Sequence, residues 1–203
     1  MDRPAQPARR IGEVVEATTT QFVAESYELH DAPPLGALLR TGDGANDIYA
    51  VACHVRTGSI DPGRRPIARG RDDEDEEEIY HRHPELPQLL RTEFTALIVG
   101  FQENGQMRRY LPPRPPRLHG FVHECTAAEL LAFTDRLDCL PTLLAAAPPA
   151  PADELVAAFL RQAGAARDGT ARLAFLVAAG KELARALGAH PQRLSVLLAR
   201  MQT

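Results

Sequence analysis

The stretch Ile48–Arg56, reading IYAVACHVR, carries the strongest hydrophobic pattern in the chain. Its odd positions Tyr49, Val51, Cys53 and Val55 form one apolar face at the strand period of two. The even positions Ile48, Ala50 and Ala52 are apolar as well, and polarity enters only at His54 and Arg56. A strand apolar on both faces belongs inside a sheet or a closed barrel. The first half of the chain reads as further strands gathered around this one.

Ile11–Ala17 predicts a first strand, with Gly12 marking a bend or a close backbone approach. QFVAESYEL after it places Val23, Tyr27 and Leu29 together, and Leu35–Arg40 is a short strand. Thr41–Gly44, TGDG, supplies turn chemistry before IYAVACHVR. A polar excursion then runs from Thr57 to Glu78, with a short helix predicted over Glu74–His83. Phe94–Phe101 is a second apolar strand, and Asn104-Gly105 beyond it is a hairpin signal. Leu111–Arg117, LPPRPPR, must be extended because of its four prolines, and Leu118–Cys125 reads as a last strand.

The period changes at Thr126. Thr126–Glu129 is a capping box that opens a helix through about Arg136, and Leu140–Ala147 suits another short one. Asp153 reads as the N-cap of a helix from Glu154 to about Ala166, and Thr170 as the cap of Ala171–Leu187. The latter is apolar nearly all round, which predicts the central and most buried helix. Pro191–Met201 is a final amphipathic helix. The expected class is α+β: a flexible arm over 1–10, a small antiparallel barrel over 11–125 with a charged insertion at 57–83, and a helical bundle over 126–203.

Composition narrows the function classes. With 44% apolar and 25% charged residues, the chain matches an ordinary globular protein. The net charge is −4, of which the block Asp72–Glu78 carries −7, so the rest is near neutral and makes no strong case for nucleic acid. Three distant cysteines, Cys53, Cys125 and Cys139, lack any CxxC spacing, which fits a reducing compartment. MDRPAQPARR has no signal-peptide core, and a cytoplasmic location is expected.

The opening IGEVVEATTTQFVAESYEL, the short LGALLR and then IYAVACHVRTG resemble the HAS barrel shared by HerA-type DNA translocases and rotary ATP synthases. The resemblance covers roughly the first 120 residues, and its motifs include no catalytic residue. In those families the barrel helps arrange subunits around a separate RecA-like ATPase core. After the barrel the chain reads as helices, and no such core is expected among them. The resemblance therefore implies a non-catalytic assembly or regulatory module with a protein partner, plausibly a HerA-like or other ring-forming ATPase, and a homo-oligomer as an option. Nucleic-acid binding by the barrel is the alternative.

Candidate chemistry is sparse. Gly180-Lys181 lacks the first glycine and the hydroxyl of a phosphate loop, at Phe175 and Glu182, and falls in a helix. His119, His123 and Cys125 share one strand face, but ~13 Å separates His119 from His123 at the strand rise. His123 and Cys125 would serve a metal-dependent enzyme only if Cys53-His54 came alongside. A Cys53–His123 pair is the one arrangement open to nucleophilic catalysis, since no GxSxG is present. Tyr80-His81-Arg82-His83 offers a pH-sensitive or metal-binding loop, against the alternative of a solvated charge run. Arg64, Arg65, Arg69 and Arg71 lie beside Asp72, Asp73 and Glu74, a charge dipole suited to docking a charged partner. No cofactor is expected.

Overall fold

The computed structural model describes residues 8–42, 44, 46–71, 75–147, 149 and 151–202. Seven strands fill the first half: β1 (Arg10–Ala17), β2 (Gln21–Ser26), β3 (Leu38–Thr41), β4 (Ile48–Ser59), β5 (Leu90–Glu103), β6 (Gln106–Arg108) and β7 (Phe121–Glu124). Two short helices, α1 (Glu76–Arg82) and α2 (Leu86–Leu89), stand between β4 and β5. The second half holds α3 (Ala127–Phe133), α4 (Leu140–Leu144), α5 (Ala152–Ala165), α6 (Gly169–Leu187) and α7 (Pro191–Gln202). The class is α+β, with an antiparallel sheet followed by helices.

All pairings are antiparallel, in the order β2-β1-β7-β3-β4-β5-β6. β2 also pairs with β5, from Gln21 opposite Leu97 to Glu25 opposite Glu93, so β1, β2, β3, β4, β5 and β7 each have a neighbour on both sides. Gly12 fits its expectation of close approach. A Cβ there would strike the Glu25 carbonyl oxygen across the β1–β2 pair, next to a bulge at Val14/Glu16.

The two apolar faces of β4 enter two different cores. Tyr49, Val51 and Cys53 join a cluster with the helices, through Phe133, Leu155, Phe159 and Leu183. Ala50 and Ala52 join a second cluster built from the strands and Ala37, including Ile11, Phe22, Leu39, Phe94, Ile98 and Val122. The alternation is not continuous, however. Ala52 faces Ala96 while His54 faces Thr95, so Cys53 is an extra residue and the strand changes face there. Val55 therefore lies on the side of Phe94, not of Cys53, and is 42% exposed beyond the core.

The capping box at Thr126 forms as expected, with Thr126 and Glu129 bonded reciprocally. Three helix expectations need correction. Pro151, not Asp153, stands at the cap of α5, and Asp153 instead takes Arg193 of α7 at 2.7 Å. Asp168, not Thr170, precedes α6, without a side-chain cap bond. The central helix is α5, with eight of fourteen residues buried, against four of nineteen in α6. Alanines, with the exposed Leu173 and Val177, make α6 look apolar all round, yet only Phe175, Ala179, Leu183 and Leu187 are buried, with Leu176 packed beside them.

Leu118 and His119 form a turn instead of opening β7. His119 has φ 63°, its N–H donates to the Val14 carbonyl, and Gly120 N–H donates to the Arg117 carbonyl.

Candidate functional site

Arg40 at the end of β3 is the hub of a polar cluster between sheet and helices. Its guanidinium meets Asp47 Oδ2 at 3.3 Å and Glu129 Oε1 at 2.8 Å. Asp47 is buried, and its other oxygen accepts the Gly44 N–H at 2.8 Å. Glu129 Oε2 accepts from both the N–H and the hydroxyl of Thr126. The cluster fastens the start of α3 to the sheet. Burial, with Cys125, Asp47 and Glu129 nearby, pushes the neighbouring Tyr49 phenol up to about 12.

His123 lies on the strand beside Arg40, in register with it and with Arg10. Its Nδ1 is buried without a hydrogen-bond partner. Its pKa is lowered, first by desolvation and then by Arg40 and Arg10, with Asp47 and Glu129 opposing. The folded state therefore binds fewer protons than the unfolded chain below the ordinary imidazole value of about 6.5, and stability falls as pH drops through that value. His123→Gln is expected to flatten this acid limb, read as the difference in Tm between neutral and mildly acidic buffer for the variant and the parent.

The metal arrangement does not assemble. β3 lies between β4 and β7, and His123 stands across Arg40 from Tyr49, so Cys53-His54 is at least two strand spacings, about 9–10 Å, from His123-Cys125 and is also displaced along the strand. His119, in its turn, pairs with Glu13. Among the described residues no group of three His, Cys, Asp or Glu side chains is placed to hold a metal ion. The thiols are unsuited to attack. Cys53 donates to the Thr95 carbonyl at 3.3 Å, and burial pushes Cys53 up to about 11 and Cys139 to about 12, with Cys125 also raised. Their reaction with a disulfide reagent at mildly alkaline pH should be slower by about a hundredfold or more in the native protein than in denaturant. Rapid labelling of one native thiol would contradict this.

The charged loop is placed only in part. Arg64, Arg65, Arg69 and Arg71 are all exposed between β4 and α1, while Asp72, Asp73 and Glu74 lie outside the described residues. Arg64 meets Asp61 at 3.5 Å, and Arg69 approaches His83 Nδ1 at 3.4 Å. Tyr80 on α1 bonds His30 Nε2 at 3.0 Å, and the Arg82 side chain meets Glu78 at 3.6 Å. The Tyr80 bond attaches α1 to the segment after β2, whereas the Arg82–Glu78 pair lies within α1.

A cavity of about 520 Å³ opens at one end of the sheet, where the proline strap crosses. Ile48, Phe101 and Phe121 supply apolar wall, with Thr41 and Gln102 as polar points and Arg114 and Arg117 from the strap. Pro112 and Pro116 are buried, whereas both arginines are exposed. From the sequence, LPPRPPR reads only as extended chain. Its available signal was two arginines three residues apart on a backbone that proline stiffens. Phe121 is 46% exposed, and the Arg10 guanidinium lies 4.6 Å from its ring centre, with Tyr27 at 5.5 Å from the same group.

Among the described residues no helix is long and apolar enough to cross a membrane. Compared with models of known protein families and with the curated proteins, the sequence matches none.

Proposed function

We propose that this chain is a non-catalytic assembly or regulatory module whose sheet closes into a small barrel of the HAS type and whose partner is a HerA-like or other ring-forming ATPase. The observation that carries the reading is the pairing of β2 with β5 as well as β1, around an apolar cluster drawn almost wholly from strands. A narrow barrel needs small side chains in its interior, and Ala24, Ala50, Ala52 and Ala96 occupy that cluster beside Phe22, Phe94 and Ile98. β6 then extends β5 beyond the closed part. The partner class rests on the sequence resemblance.

Affinity purification of the tagged chain from its own cells, followed by light scattering on the purified complex, tests this. Recovery of a ring ATPase in fixed stoichiometry is the expected result. A monomer that recovers no ATPase would overturn the partner assignment. The exposed Arg64, Arg65, Arg69 and Arg71 support nucleic-acid binding as a second reading, which requires affinity for DNA or RNA that falls steeply with salt.

A further inference from the structure

We propose that the cavity under the proline strap binds an organic phosphate monoester, its phosphate on Arg114 and Arg117 and a planar body against Phe101 and Phe121. A volume of about 520 Å³ is that of a small-molecule site. It also far exceeds what a bare inorganic anion fills. The mouth of a strand-built core is one of the usual places for such a site.

Charge selects the class of ligand. Among the described residues neither Arg114 nor Arg117 meets a carboxylate. Of the other charged lining groups, Glu103 faces Arg108 at 3.9 Å and His119 is held by Glu13. Two unneutralised guanidinium groups match a phosphate ester, which carries about −1.5 to −2 near neutral pH, better than a monocarboxylate. The strap limits the entropy lost on binding. Buried Pro112 and Pro116 pin it on either side of Arg114, and the fixed φ of proline holds the backbone. The apolar wall of Ile48, Phe101 and Phe121 favours a body that offers it an aromatic face, as a nucleobase does, over a sugar alone, whose hydroxyls would be left unpaired against that wall.

Calorimetric titration of the full chain with adenosine 5′-monophosphate tests this, alongside adenosine, inorganic phosphate, benzoate and glucose 6-phosphate. The nucleotide should bind saturably, and each of the other four should bind about tenfold more weakly or worse. The exposed pair Arg114→Gln/Arg117→Gln should lower nucleotide affinity by about tenfold or more with Tm unchanged, while Arg136→Gln/Arg185→Gln, exposed on the helical half, stays within about twofold. Equal binding of adenosine, or undiminished binding to the strap variant, would overturn the phosphate assignment. Benzoate as tight as the nucleotide would overturn it too. Glucose 6-phosphate as tight as the nucleotide would overturn the planar body. No saturable binding up to about 10 mM nucleotide would overturn the site itself. None of these results depends on whether an ATPase partner is recovered.

Discussion

Replacing Gly36 by alanine is expected to cost on the order of 2–5 kcal/mol, the sum of a left-handed backbone penalty and a core displacement. Gly36 precedes β3 with φ 85°, and its N–H donates to the Ala52 carbonyl of β4. A Cβ there would stand 2.5 Å from the Phe159 backbone nitrogen and 2.7 Å from the Ala158 carbonyl carbon. Both atoms belong to α5, where Phe159 is fully buried, so the helix must retreat or the strand must lose its bond. Gly105, in the β5–β6 turn, separates the two effects. Its φ is 76°, but a Cβ would meet nothing within 4 Å. Gly105→Ala should therefore cost only about 1–2 kcal/mol. Urea denaturation of both variants decides the matter, and equal losses would show that the approach of Gly36 to α5 contributes nothing.

That close approach shows why the helices matter to a reading centred on the barrel. The Gln162 side chain on α5 donates to the Leu35 carbonyl at 2.8 Å, one residue before Gly36. The helical layer thus holds the entry to β3 directly, while β3 in turn holds β4 and β7. A partner that moved α5 would act on the sheet through backbone atoms.

The elements most legible in the sequence are those with local causes. Within IYAVACHVR, Tyr49–Cys53 is buried on both faces, and no polar alternation was needed to place it inside. Thr126–Glu129 caps its own helix, and Asn104-Gly105 turns its own hairpin, with positive φ at both residues. The bulge at Cys53 was not legible, because it is a property of the pairing with β5, and it moves Val55 and every later residue to the other face. Nor was the turn at His119, which is fixed by a bond from its N–H to Val14 on a strand far back in the chain. The Arg40 cluster escaped for the same reason. Asp47 is near in sequence, but Glu129 arrives from the helical half, and an arginine within LLRT reads as an ordinary edge of a short strand. The cavity shows the limit from the other side: its walls come from β3, β4, β5, β7 and the strap, so no window of sequence contains it.

Arg40→Met should destabilise the protein by about 3 kcal/mol, near the low end for breaking a buried ion pair. Two carboxylates would lose their shared cation. Among the described residues Asp47, with its side chain 6% exposed, keeps the Gly44 N–H, and Glu129 keeps Thr126. The low end applies because the Arg40 and Glu129 side chains retain 20% and 28% exposure, so water screens part of the loss. Arg40→Lys should recover less than half of it, since an ammonium cannot present Nε to one carboxylate and NH1 to the other in a fixed plane. Glu129→Gln alone should cost about 1 kcal/mol, and the double variant Arg40→Met/Glu129→Gln less than the two losses added, because the second change removes a charge the first had stranded. Chemical denaturation gives these differences, and hydrogen exchange along α3 locates them. If Arg40→Met cost under about 1 kcal/mol, or left α3 as protected as in the parent, the cluster would be a surface ion pair and not the fastening between sheet and helices.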